Sequence, residues 1–317
     1  MNLDLRPLNF KEFIGQEKIK KTLQVMIKSA KVQNKPIDHI LFYGMPGMGK
    51  TTLATIIANE SDNNIHYVQG SNIEKKSDLI SILSILKEND IVFIDEIHSI
   101  NKGVVEFLYS AMEDFVFDLI IGAEGNSKAM RMKLKPFTLI GATTKLNEIV
   151  QPFKDRFGYL CRLSSYTLEN MIEIIQKSSN ALKIEIQENL IRLIAEYSRS
   201  TPRLANHLLK RINDFSISQE QKEIDKRIIM KTFKNLDLYE FGLTKDHIEY
   251  MSILKDGFEE KCVSLDTLCG LLLNSKENII NEIEPILLYL KLIEKNSRGR
   301  RITSKGIDYL IRQKLHK

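Results

Sequence analysis

Tryptophan is absent from the 317 residues, and cysteine, proline and glycine are sparse at 3, 7 and 15. Cys161, Cys262 and Cys269 are odd in number and form no CxxC or Cys/His cluster. A disulfide framework and a zinc site are therefore unsupported, and buried free thiols are the plainer reading. Long apolar runs are missing as well. The greasiest stretch, "PILLYLKLI" (Pro285–Ile293), carries Lys291 and is far shorter than a membrane span. The opening "MNLDLRPLNFKEF" lacks the apolar core of a targeting peptide, so the expectation is a cytoplasmic protein with no membrane contact. No internal repeat or low-complexity tract is present.

What is there is ordinary globular composition, 43% hydrophobic and 27% charged, on a length that accommodates two or three domains. The net charge of +5 is uneven: Lys291–Lys317 holds nine Lys or Arg against two Asp or Glu, and the preceding 290 residues net about −2. Two readings of this basic end stand, a solvated tail or an electrostatic footprint for a phosphodiester backbone.

Short apolar β-type runs alternate with helical spacing in the first half: "HILFYG" (39–44), "NIHYV" (64–68), "DIVFID" (90–95) and "FTLIGATT" (137–144). That alternation predicts an α/β fold with a parallel sheet covered on both faces. Residues 113–137 read as two alternating strands around "GAEGNS", a hairpin inserted before the last core strand. Beyond Leu163 the β signal fades, and helical spacing over 167–180, 187–199, 202–215 and 225–235 predicts a small all-α unit. Further helices from about Leu243 precede "KLIEKNSRGRRITSKG" (291–306), two short strands around a basic turn, which is the recipe of a winged helix. The expected domains are 1–164, 165–238 and 239–317.

"GMPGMGKTT" (44–52) lies between an apolar strand and a helix, which is the context a P-loop requires. Gly44, Gly47 and Gly49, with Pro46 and Met48 between them, let backbone N–H groups turn toward phosphates, and the following helix points its positive end there. Lys50 adds a charge to the phosphates, Thr51 a hydroxyl for Mg²⁺, and Thr52 continues the helix's first turn. "IVFIDEIH" delivers Asp95 and Glu96 at the carboxyl end of a buried strand, where open α/β sheets bind ligands. Asp95 is suited to Mg²⁺ and Glu96 to polarising water; capping the strand end is the bland alternative. His98 reads equally as a relay and as a structural histidine. Thr143 or Thr144, ending another strand, is placed to sense a γ-phosphate or merely to cap the strand.

Two arginines decide between holding a nucleotide and hydrolysing it. Arg156 in "FKDRFG" follows the sensor-like strand and is read either as a cation offered to a neighbouring subunit's γ-phosphate or as the partner of Asp155 or another acid. Arg203 sits in "STPRLANHLLKRI", with Thr201 as N-cap and Pro202 as first helical residue. A cation there opposes the helix dipole, which a nearby anion would explain; a surface arginine is the other reading.

In that order the motifs resemble an AAA+ ATPase. More narrowly, "LRPLNFKEFIGQ", "DHILFYGMPGMGKTTLA", "VFIDEIH", "LYSAMEDF", "PFTLIGATT", "STPRLANHLLKR" and "SRGR" are similar to the RuvB family over about Leu5–Tyr309. The resemblance implies a P-loop parallel-sheet domain, a helical lid and a C-terminal winged helix. It implies ATP and Mg²⁺ as cofactors, a hexameric ring around duplex DNA at Holliday junctions, and a RuvA-like junction-binding partner. By position, Glu96, Asp95 and Lys50 correspond to the hydrolytic groups, Arg156 to the trans-acting finger, Thr143 and Thr144 to the first sensor and Arg203 to the second. Leu5, Arg6, Pro7, Ile14 and Tyr166 match positions around the adenine. Leu119 and Ile121 match apolar partner contacts, though the residues alone would bury them in this chain's own core. Arg298, Arg300 and Arg301 match the DNA-contacting wing. The chain departs from the family in "PFK" for "PLR", Ser200 for a glycine, "NSRGR" for "TPRGR" and "EEKCVSL" for a glycine-rich turn. Against the motor stand two other readings, a clamp loader or helicase loader of the same class and a nucleotide-switched binding module.

Overall fold

The computed structural model describes residues 5–121, 128–220, 223–257 and 261–315. Strands β1 (Ile40–Tyr43), β2 (Ile65–Gln69), β3 (Ile91–Asp95), β6 (Thr138–Thr143) and β7 (Tyr159–Arg162) form a five-stranded sheet in the order β2-β3-β6-β1-β7. All its pairings are parallel. The middle strands are continuous apolar runs because both faces are covered: every residue of β6 is buried, as are the first four of β3. Between β3 and β6 stand β4 (Val116–Ile121) and β5 (Lys128–Lys133), which pair antiparallel as the inserted hairpin.

Helices α1 (Glu17–Gln33), α2 (Lys50–Ser61), α3 (Lys76–Ser84), α4 (Lys102–Glu113) and the short α5 (Gln151–Lys154) accompany the sheet. Leu41, Val92, Ile94, Leu108, Phe117, Leu139 and Phe153 belong to its buried core. The four strands expected from the sequence are present. The fifth, β7, was not anticipated; its four residues, "YLCR", alternate only weakly, and its existence depends on pairing with β1 from far along the chain.

After the sheet come α6 (Leu168–Ala181), α7 (Glu188–Glu196), α8 (Pro202–Ser218) and α9 (Lys226–Asn235), close to the four helical segments expected. The chain divides into two compact units: Met1–Ile184 with Ser200–Asn206, and Glu185–Arg199 with His207–Lys317. The residues expected as a separate lid are thus shared between the two units.

The second unit continues with β8 (Leu238–Tyr239), β9 (Leu243–Thr244), α10 (Lys245–Ser252), α11 (Leu265–Leu272), α12 (Lys276–Asn278), α13 (Glu284–Tyr289), β10 (Ile293–Asn296), β11 (Gly299–Ile302) and α14 (Ser304–Leu315). Tyr250, Leu268, Leu287, Leu292 and Tyr309 are fully buried in its core. A π-helical turn, Ile279–Ile283, joins α12 to α13 just before Pro285. Proline supplies no N–H to the ladder, so a break in helical register there has a local cause. Strands β10 and β11 pair antiparallel with Asn296 opposite Gly299, a two-residue hairpin matching the expected wing. The Asn296 side-chain oxygen closes it by accepting from the N–H groups of Arg298 (2.9 Å) and Gly299 (3.1 Å).

Candidate functional site

Parallel pairing brings the carboxyl ends of β1, β3 and β6 to one edge of the first unit, with Tyr43 opposite Thr143. The loop leaving β1 stays beside β6, since the Gly44 N–H donates to the Thr143 carbonyl at 3.3 Å. Gly44 and Gly47 have φ of 142° and 80°, backbone conformations that suit glycine. A Cβ would stand 2.7 Å from the Leu163 carbonyl oxygen at Gly44 and 3.0 Å from Arg203 Cβ at Gly47. The loop is therefore cradled on both sides, with no room for side chains at these glycines. Lys50 opens α2 and is 7% exposed; its ammonium donates to the Gly44 and Met45 carbonyls at 2.9 and 3.0 Å. Burial pulls its pKa down, while Glu96 and Asp95 oppose that shift.

At the end of β3 the chain turns through Glu96 in the left-handed region, φ 47°. Asp95 accepts from the Glu96 N–H at 3.0 Å. The Glu96 carboxylate accepts from the Thr144 N–H and hydroxyl at 3.3 and 3.2 Å and lies 3.2 Å from His98 Nδ1. That same nitrogen is 2.9 Å from the Thr143 hydroxyl, which accepts in turn from the Lys145 N–H. The two threonines thus divide their work, Thr144 holding the carboxylate and Thr143 holding the histidine. Sequence reasoning missed Gly70 and Ser99. A Cβ at Gly70 would meet the Glu96 carbonyl oxygen at 2.5 Å, and the Ser99 hydroxyl donates to that oxygen at 2.7 Å. Both support the turn that aims Glu96, and only its tertiary surroundings reveal them.

On the other side of the loop the Tyr166 hydroxyl donates to the Met48 carbonyl at 3.0 Å, and burial raises the phenol's pKa. The Phe13 ring lies 3.2 Å from where a Gly49 Cβ would stand, a second neighbour not anticipated. Gln16 ties this segment down by donating to the Ser164 carbonyl at 2.6 Å. Leu5, Arg6 and Ile14 are half-buried in the same N-terminal segment, Pro46 is exposed, and Thr51 and Thr52 are half-buried on the first turn of α2. Helix α8 begins at Pro202 as expected, and the Thr201 carbonyl accepts from the Ala205 N–H at 3.1 Å. Its first turn sets exposed Arg203 beside Gly47 of the phosphate loop. Ser200, which replaces a family glycine, takes φ 52°.

Arg156 follows α5 with its guanidinium over the Tyr109 ring, 4.1 Å from the centroid. It donates to the Pro152 carbonyl at 2.5 Å and pairs with Glu113 at 3.3 Å. The acid is not the neighbouring Asp155, whose carboxylate instead takes the Gln151 amide at 2.6 Å.

In the hairpin, Val116 and Phe117 root the strands in the core, and Asp118 pairs across to Arg131 at 2.7 Å. Leu119 and Ile121 lie on β4, but their side chains fall outside the described ones. The wing corrects one expectation. Arg300 is 9% exposed, its guanidinium donating to Glu284 at 2.6 Å within the second unit's interior, so it is not presented to a ligand. Glu284, 1% exposed, also accepts from the Tyr250 hydroxyl at 3.1 Å and Lys295 at 3.4 Å. Alternation along β11 explains the change: consecutive strand residues face opposite ways, so with Arg300 inward Arg301 is outward. Arg301 pairs with Glu294 across the strands at 2.8 Å, and Arg298 at the hairpin tip is exposed.

The residues at the carboxyl edge fit a magnesium nucleotide. The glycine turns of the loop stand beside Lys50, with no room for a side chain at Gly44 or Gly47, while the Thr51 hydroxyl and Asp95 carboxylate are hard oxygen donors of the type Mg²⁺ takes alongside phosphates. Among the described residues no group of three or more His, Cys, Asp and Glu gathers to hold a metal alone. Fold and site together define a P-loop α/β protein of the AAA+ class carrying a winged helix. Family models match consecutively along the chain: the Holliday junction DNA helicase RuvB P-loop domain over residues 5–163, the RuvB AAA lid domain over 166–239 and the RuvB C-terminal winged helix domain over 240–311. The chain belongs to the RuvB family.

A Holliday junction branch migration complex subunit RuvB from Mycoplasmopsis synoviae (strain 53) is 66% identical over 310 residues, 98% of each chain. Its counterpart from Pseudothermotoga lettingae is 40% identical, covering 97% of this chain and 90% of that one. The solved Thermotoga maritima RuvB Holliday junction branch migration motor superposes with a TM-score of 0.84 at 36% identity, covering 97% of this chain and 98% of that one. No helix among the described residues is long and apolar enough to cross a membrane.

Proposed function

We propose that this chain is the ATP-hydrolysing motor subunit of a Holliday junction branch migration complex, acting in the cytoplasm as a hexameric ring on duplex DNA with a RuvA-like partner. The observation that carries the reading is the gathering of Lys50, Asp95 and Thr144-held Glu96 at the edge of one parallel sheet, in a chain so similar to branch-migration subunits. The functional division follows the motifs: an ATPase domain over 1–164, a lid over 165–238 and a DNA-binding winged helix over 239–317.

Bound ATP–Mg²⁺ supplies the phosphoanhydride to be cleaved and a Lewis acid on its oxygens. The chain does the rest. Phosphate-loop N–H groups and Lys50 neutralise β- and γ-phosphate charge, and Thr51 and Asp95 hold the metal. Glu96 would orient the attacking water, its carboxylate restrained by the Thr144 N–H and hydroxyl. Arg203, against Gly47, follows the phosphates from the lid side. Arg156 serves the neighbouring subunit's site, where a finger arginine is worth about 10³–10⁵ in rate. Leu119 and Ile121 of the hairpin contact the junction-binding partner, and Arg298 and Arg301 contact DNA phosphates.

The test is unwinding of a synthetic four-way junction with ATP, Mg²⁺ and the junction-binding partner. Wild type should migrate the branch and Glu96→Gln should bind ATP without doing so. Equal, negligible turnover in both proteins, even with DNA and partner, would leave a nucleotide-switched binding module instead. For the trans role, mixing Arg156→Ala with Lys50→Ala subunits should restore turnover that neither shows alone.

A further inference from the structure

Helix α4 ends in two side chains that the nucleotide chemistry leaves unused. Tyr109 and Glu113, spaced four apart, share one helix face, and both engage Arg156. The guanidinium lies over the Tyr109 ring, one terminal nitrogen is 3.3 Å from Glu113, and another donates to the Pro152 carbonyl. Its Nε is buried without a hydrogen-bond partner, so stacking and the two terminal contacts alone fix the group. The ring beneath it is braced: Tyr109 packs on Phe153 (centroids 5.9 Å apart), and Phe153 on Phe157 (5.2 Å). Phe153 and Phe157 are buried. Glu113 is far more open, its side chain 55% exposed, while that of Arg156 is 21% exposed. The cation is therefore held at the surface on a rigid aromatic footing, with part of its edge open.

We propose that Tyr109 and Glu113 are positioning residues for Arg156: they fix the plane and reach of the guanidinium before a neighbouring subunit's phosphate arrives. This rests on the reading of Arg156 as a trans-acting finger. A planar guanidinium stacks on an aromatic face in a way an ammonium does not, and a group already oriented loses less freedom when it meets the transition state. An acid at 3.3 Å settles the in-plane rotation that stacking leaves free.

The measurement is steady-state ATP turnover by the full-length protein on duplex DNA, with thermal unfolding as a check on folding. Tyr109→Leu should lower kcat about tenfold, the rate equivalent of one such contact, with the KM for ATP unchanged. Tyr109→Phe keeps the ring and should stay within about twofold of wild type. Glu113→Gln, at an exposed position that folding tolerates, should lower kcat about threefold. In an Arg156→Ala background neither Tyr109→Leu nor Glu113→Gln should lower turnover further, because both act through the arginine.

The proposal is overturned if Tyr109→Phe falls as far as Tyr109→Leu, if Tyr109→Leu leaves kcat unchanged or raises it, or if losses persist undiminished without Arg156. Should Tyr109→Leu not fold, Glu113→Gln and its Arg156→Ala double variant decide alone. Arg156→Ala by itself separates the two readings. Wild-type turnover there removes the finger, whereas a collapse with Tyr109→Leu and Glu113→Gln unaffected removes only the positioning.

Discussion

Lys50 in the first unit and Arg300 in the second are both nearly buried cations, 7% and 9% exposed, yet their environments differ in kind. Lys50 is held by two carbonyl oxygens of the glycine-rich loop; burial lowers its pKa, and the charges of Glu96 and Asp95 oppose that shift. Its charge stays available to an anion. Arg300 is consumed by Glu284, which also takes Tyr250 and Lys295, so its charge is spent on holding the wing together. Burial alone therefore does not distinguish the two cations; what differs is whether the partners are neutral carbonyls or a carboxylate.

The largest effect that sharpens this contrast is at Glu96. Glu96→Gln should lower kcat by about 10²–10⁴, the span of general-base catalysis, with nucleotide binding retained in an equilibrium assay. In the second unit the corresponding break is structural. Arg300→Ala leaves buried Glu284 with only the longer Lys295 contact and the Tyr250 hydroxyl and should cost about 3 kcal/mol in that unit's denaturant unfolding, whereas the double change Arg300→Met with Glu284→Leu should cost much less. An Arg300→Ala protein as stable as wild type but deficient in DNA binding would return Arg300 to the DNA-contacting set.

Acid should act on both units through buried histidines, His39 in the first and His247 in the second, each with its pKa lowered by burial. His247 is 4% exposed, and burial, then the charge of Arg199, pushes its pKa down to about 4. Its Nδ1 accepts from the Thr244 N–H at 3.2 Å, a bond that protonation of that nitrogen removes. Because the folded pKa is depressed, the neutral ring's contribution is fully present above the ordinary histidine value of about 6.5 and is lost as pH falls toward 4. About 3 kcal/mol of stability should disappear over that window, and His247→Gln should flatten the dependence. A profile equally steep in the variant would place the acid sensitivity elsewhere.

Smaller still are the surface tests. Arg298→Ala should weaken duplex binding uniformly across sequences and reduce the salt slope by about 1. Arg301→Ala should act in the same direction but less, since Glu294 already partners that guanidinium. Ser200→Gly should stabilise by only about 0.5 kcal/mol, because relief at φ 52° is partly offset by glycine's entropy. The readout is the midpoint of thermal unfolding.

How much was legible beforehand followed the range of the interactions involved. The phosphate loop, the Asp95–Glu96 strand end and the start of α8 at Pro202 are written in neighbouring residues, whose spacing and capping chemistry act within a turn or two. The wing hairpin was legible for the same reason, in a short basic turn between two β-type runs. Strand β7 was not, because "YLCR" has weak alternation and becomes a strand by pairing with β1. Nor was the inward turn of Arg300: adjacent arginines on a strand must face opposite ways, but which one enters is decided by Glu284, sixteen residues earlier. The partner of Arg156 is decided in the same way: the sequence allows Asp155 or another acid, and the one that pairs, Glu113, comes from a different helix.

By itself the sequence determined the fold class, the nucleotide-binding chemistry and the family, since each is encoded in contiguous motifs whose periodicity and glycine placement act locally. Only the tertiary structure decided which charges remain open to ligands and which are used up inside. That choice depends on packing between distant segments, where burying a charge costs several kcal/mol unless a partner is brought to it.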